Sequence, residues 1–132
     1  MEHTFAFEKL EVWKLDKKLA TSVYKVTKSF PSEERFGLVS QMNRAAVSVA
    51  SNIAEGSARR GRKDKANFYQ IAYSSLMEVT SQLLIAKDLE FVQENTQSIL
   101  RKKIYEISNK LHALYNSQVT LPPTKQLNDS TT

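Results

Sequence analysis

The sequence predicts an all-α protein folded as an antiparallel up-down-up-down four-helix bundle, on three observations. Four long segments repeat apolar side chains at spacings of three and four, the period of a helix with one buried face. Only three glycines and three prolines occur in 132 residues, too little turn material for an all-β chain. The connections between the segments are short, as neighbouring antiparallel helices require. The length suits one hydrophobic core, expected over residues 1–121, with a disordered polar tail at 122–132.

The first helix is expected from Leu10 to Phe30, with Val12, Leu15, Leu19, Val23, Val26 and Phe30 inward and Pro31 as its stop. In "PSEERFGL", Ser32 is a candidate N-cap followed by acids that suit a helix N-terminus, although Gly37 can delay the start. The second helix is expected over Gly37 to Glu55, burying Leu38, Met42, Ala45, Val49 and Ile53. Gly56 stands where a left-handed C-terminal cap belongs. The third helix, Asp64 to Leu89, carries Tyr69, Ala72, Leu76, Val79, Leu83 and Ala86 on one face. Tyr73, Met77 and Leu84 form a second stripe, so this helix is expected to be covered on more than one side. The fourth, Thr96 to Gln118, places Leu100, Ile104, Ile107, Leu111 and Leu114 in four-three alternation.

Composition excludes several classes of function. The chain has no cysteine, hence no disulfide, thiol nucleophile or cysteine metal site, which agrees with a reducing cytoplasm. No apolar run is long enough for a membrane span, and "MEHTFAFEKLE" lacks the order of a signal peptide. His3 and His112 are isolated, no phosphate-cradling glycine loop is present, and no acid or histidine cluster has metal-ligand spacing. Neither a catalytic constellation nor a cofactor is expected. The net charge of +5 makes a polyanion a reasonable partner.

Two polar features stand out. On a helical wheel Gln41, Arg44, Ser48, Asn52 and Glu55 fall within a sector of roughly 80° beside the apolar face of the second helix. Such a seam needs partners on another helix or subunit, and Glu78 is the candidate mate for Arg44. The other feature is "SARRGRKDK". Arg59, Arg60, Arg62, Lys63 and Lys65 surround one acid at a helix junction, where guanidinium forks can meet phosphates. Cations just beyond a helix C-terminus also have a purely structural use. Phe68 and Tyr69 are expected in the core rather than as base-stacking platforms. Lys14, Lys17, Lys18, Lys25 and Lys28, with Arg101, Lys102 and Lys103, are read as ordinary solvent faces.

The stretches "SQMNRAAVSVASNIAEGSARR" and "FYQIAYSSLMEVTSQLLIAKDL", together with "FEKLEVWKLDKKLATSVYKVT" and "FPSEERFGL", resemble a four-helix-bundle family. Its members were first noticed as reading frames in intervening sequences of bacterial 23S ribosomal RNA genes. The resemblance covers about Phe5 to Leu121. It implies a compact antiparallel bundle assembling as a ring-like homopentamer. It also implies kinship with an accessory protein of diversity-generating retroelements that binds nucleic acid and a reverse transcriptase. The matching positions are Gln41, Arg44, Asn52, Glu55, Gly56, Ser75, Glu78 and Gln82. Thr80 stands where many relatives have a second acid. The function expected is therefore that of a non-enzymatic oligomeric module binding RNA or DNA through the basic loop. The alternative is a structural adaptor that docks a partner protein.

Overall fold

A computed structural model describes residues 2–120 of the chain; the expected polar tail at 122–132 lies outside the described residues. Four helices follow one another: α1 (Glu11–Thr27), α2 (Leu38–Ala58), α3 (Arg62–Asp88) and α4 (Glu94–Val119). Short 3-10 turns at Ala6–Lys9 and Ser32–Glu34 precede α1 and α2, and no strand occurs among the described residues. α2 packs between α1 and α3, and α4 between α3 and α1, while the backbones of the diagonal pairs stay apart. The core is the set of stripes read from the sequence: Leu19, Val23, Met42, Val49, Ile53, Leu76, Leu83, Ile107 and Leu111 are all buried. Leu15, Val26, Leu38, Tyr73 and Leu114 are half-buried against them.

The helix ends differ from the sequence expectation, each for a local reason. α1 closes at Thr27, three residues before Phe30. The Thr27 hydroxyl donates to the Tyr24 carbonyl at 3.1 Å and the Ser29 hydroxyl to that of Val26 at 2.9 Å, so the last turn is satisfied before Pro31 is reached. Phe30 then enters the core against Phe91, with ring centroids 5.4 Å apart. Ser32 opens a 3-10 turn and does not cap α2; its hydroxyl donates to Glu33. The N-cap of α2 is Gly37.

Gly56 is not a left-handed cap. It lies buried inside α2, which runs on to Ala58, and among the described residues no glycine has a positive φ. Its lack of a side chain serves packing: a Cβ there would stand 2.6 Å from Tyr69 Cε1 and 3.0 Å from Phe68 Cβ. The left-handed terminator occurs instead at Glu90, φ 64°, just past α3. The Glu90 N–H donates to the Lys87 carbonyl and the Phe91 N–H to that of Ala86, both at 2.9 Å, the bond pair of a Schellman motif. α3 starts at Arg62, earlier than expected, so the link between α2 and α3 is only Arg59, Arg60 and Gly61. Gly61 has ordinary extended angles, φ −83° and ψ 146°, and makes no use of glycine's freedom.

Among the described residues Asp16 is the one buried carboxylate. It is fully buried on α1 among apolar neighbours, and neither oxygen has a hydrogen-bond partner. Burial pushes its pKa up to about 7; the backbone amide of Ala50 opposes this weakly, without reaching hydrogen-bond geometry. The native state thus keeps a proton that the unfolded chain releases near about pH 3.9. Between these values the folded state binds more protons, so stability falls as pH rises toward 7 and is level above it. The expected loss is a few kcal/mol, as a shift of one pKa unit is about 1.4 kcal/mol. Urea titrations from about pH 5 to about pH 8 should show this decline in the wild type and not in Asp16→Ala, which should be the more stable protein at the alkaline end.

A second expectation concerns Gly56. In an open helical position Gly→Ala stabilises by about 0.8–1 kcal/mol. Against the Tyr69 ring the added methyl forces a shift, and Gly56→Ala should instead destabilise by about 1–3 kcal/mol in the same urea assay.

Candidate nucleic-acid interface and polar seam

Two of the seam residues of α2, Arg44 and Ser48, reach side chains of α3. Ser48 and Ser75 hydroxyls are 2.9 Å apart, and Asn52 Nδ2 donates back to the Ser48 carbonyl at 2.8 Å and to its hydroxyl at 3.1 Å. Arg44 Nη2 donates to Glu78 Oε2 at 3.3 Å, and Gln82 Nε2 donates to the same oxygen, also at 3.3 Å. Gln82 is itself buried, with Oε1 unpartnered. Gln41 and Glu55, at the two ends of the seam, are exposed and make no side-chain hydrogen bond among the described residues. The Arg44 and Glu78 side chains are 66% and 40% exposed, so in a single chain this pair is a surface ion pair.

The five cations of the α2–α3 junction divide into two groups. Lys65, in the first turn of α3, reaches back so that Nζ donates to the Ser57 carbonyl at 2.9 Å and the Gly56 carbonyl at 3.4 Å. It thereby neutralises the negative end of α2. Arg62 Nη2 donates to the Ser117 carbonyl at 2.7 Å and the Thr120 carbonyl at 3.4 Å, closing the end of α4 in the same way. Arg59 lies over the Phe68 ring, 4.5 Å from its centroid. Arg60 and Lys63 are exposed and have no partner among the described residues. Tyr69 is buried behind Gly56, and burial raises the pKa of its hydroxyl. Its ring therefore packs in the core and offers no stacking face.

Five of the lysines read as ordinary solvent faces share a cavity, and Lys28 and Lys102 stand outside it. Lys14, Lys17, Lys18 and Lys25 of α1 and Lys103 of α4 line an open cleft of about 660 Å³, with Trp13 at its edge. The signal in the sequence was the pattern of acids: α1 has only Glu11 and Asp16, and Asp16 falls on the apolar stripe. An apolar groove of about 600 Å³ adjoins this cleft between α1 and α2. No group of three or more acidic or histidine side chains in metal-binding arrangement occurs among the described residues. No helix among them is long and apolar enough to cross a membrane.

An exposed ion pair contributes about 0–1 kcal/mol. Arg44→Ala should therefore cost that little in a denaturant titration of dilute protein. A loss of about 3–5 kcal/mol would instead indicate that another subunit covers the seam and removes the pair from water.

Comparison with known proteins agrees with this fold. A crystal structure of a protein of unknown function from the S23 ribosomal protein family of Bacteroides thetaiotaomicron superposes with a TM-score of 0.71 at 20% identity. The match covers 79% of this chain and 97% of that one. At that identity the likeness concerns the fold. No curated protein shows significant similarity to the chain. The sequence model of the 23S rRNA-intervening sequence proteins matches residues 8–113, which is most of the bundle. The chain belongs to the 23S rRNA-intervening sequence protein family.

Proposed function

We propose that this chain is a non-enzymatic nucleic-acid-binding module of the cytoplasm, an up-down-up-down bundle that assembles as a ring of five copies. The observation that supports binding is the α2–α3 junction, where five cations surround the single acid Asp64 and Arg60 and Lys63 keep free, exposed charges. Arg59 adds a guanidinium held 4.5 Å over the Phe68 ring, where its remaining N–H groups suit phosphate contact. Arg62 and Lys65 support the junction by holding the ends of α4 and α2. Repetition of the junction around a ring multiplies weak contacts on a long ligand. A second reading, an adaptor docking a partner protein, draws on Phe36, which is 90% exposed between the 3-10 turn and α2.

Anisotropy titrations with RNA and DNA at rising salt test the first reading. Log K should fall against log salt by about 0.7 per contact on single strands and about 0.9 on duplex DNA. Arg60→Gln with Lys63→Gln should flatten that slope while the bundle stays folded, because these two side chains hold no structural bond. Wild-type protein that binds neither RNA nor DNA at about 50 mM salt would overturn the reading. Light scattering should return about five times the chain mass of 15.0 kDa; a single-chain mass would remove the ring.

A further inference from the structure

We infer that α1, with Lys103 of α4, forms a docking cleft for single-stranded nucleic acid, in which phosphates follow the lysine row and bases enter the adjoining apolar groove. The inference rests on the nucleic-acid reading above and names a surface separate from the α2–α3 junction.

The cationic cleft has almost no opposing charge. Of the two acids on α1, Asp16 is buried and Glu11 is paired with Lys110 at 3.5 Å. Glu8 also lines the cleft, with one carboxylate oxygen accepting the Phe5 N–H at 2.7 Å, and is the single acid there against five lysines. Lys14, Lys17, Lys18, Lys25 and Lys103 are all exposed and make no ion pair among the described residues. Lys103 Nζ lies 3.5 Å from the Ser22 hydroxyl, which places it across the cleft from the α1 row. From Lys14 to Lys25 the helix rises about 16 Å, enough for several successive phosphates.

The apolar groove beside it is lined by Phe7, Trp13, Ala20, Tyr24, Val47 and Ala54, and shares Trp13, Lys17 and Thr21 with the cleft. Trp13 is held edge-on by Phe7, with centroids 4.9 Å apart and planes at 74°, and Lys17 Nζ lies 5.5 Å from the indole centroid. A row of cations flanking an aromatic-lined apolar trough matches a ligand with a charged edge and unsatisfied flat faces. A single strand has both, whereas a duplex hides its bases in its own stack. Ala54 lies one helical turn before the end of α2, so the groove runs toward the basic junction.

Trp13 is the sole tryptophan, so its fluorescence reports on this cleft alone. Oligouridylate of about 30 nucleotides should quench it, and a duplex of equal length should bind without comparable quenching. Lys14→Gln, Lys18→Gln and Lys25→Gln together, with helicity checked by circular dichroism, should weaken oligouridylate binding by about tenfold or more. The salt slope should drop by about 2, the sum of three single-strand contacts. Arg60→Gln with Lys63→Gln should weaken binding but leave the quenching amplitude at saturating oligouridylate in place. If wild type binds but Trp13 does not respond and the lysine variant binds unchanged, the cleft is wrong and the nucleic-acid reading stands. If wild type binds no nucleic acid, both fail. Quenching by vesicles of phosphatidylglycerol and phosphatidylcholine but not by oligouridylate would assign the cleft to a lipid surface and overturn the inference. A Trp13 signal that follows only protein concentration, and not added strand, would assign the groove to a second copy of the chain and overturn it equally.

Discussion

The close approach of α2 to α3 is the constraint on which the rest of the bundle depends. Gly56 lets the Tyr69 ring lie directly on the α2 backbone, and small residues on the same two helices, Ala45, Ala46 and Ala72, are fully buried. With backbones this near, Ser48 and Ser75 meet at 2.9 Å without a longer side chain between them. The register of the two helices follows, because sliding either one drives a side chain into the Tyr69 ring or separates the serine pair. The same arrangement leaves Phe68 half-buried beside Gly56, with Arg59 over its ring.

The four helix C-termini are closed by three kinds of chemistry, and this divides the basic residues by role. Hydroxyls of Thr27 and Ser29 finish α1, and a left-handed Glu90 finishes α3. α2 and α4 receive Lys65 and Arg62, both from the first turn of α3. These two cations offset carbonyl dipoles and tie three helices together at one end of the molecule. Charge density in a sequence thus overstates the charge available to a ligand; here the free share at the junction is Arg60, Lys63 and the stacked Arg59.

On α1 the opposite holds. Its lysines outnumber its acids, and folding removes the acids from competition by pairing Glu11 with Lys110 and enclosing Asp16. An unpartnered buried carboxyl is costly when ionised, which is why Asp16 remains protonated well above the usual carboxylate range. The helix therefore presents to solvent a more cationic face than its composition suggests.

The sequence by itself determined the all-α class, the number and order of the helices and nearly every core position, because a period of three and four survives in the linear text wherever one helix face is buried. It also contained the members of the α2 seam, since neighbours on one helix face follow from spacing alone. Tertiary structure decided whatever depends on a second helix. Gly56 reads as a terminator in one dimension and becomes a packing contact only when Tyr69 arrives from α3. The cations of "SARRGRKDK" look equivalent until the carbonyl ends of α2 and α4 claim Lys65 and Arg62. The α1 lysines look like an ordinary solvated face until folding sets Lys103 of α4 and the groove against α2 beside them. Local spacing encodes which side of a helix is apolar, whereas the partner of a polar group is set by segments distant in the chain, and only folding brings those together.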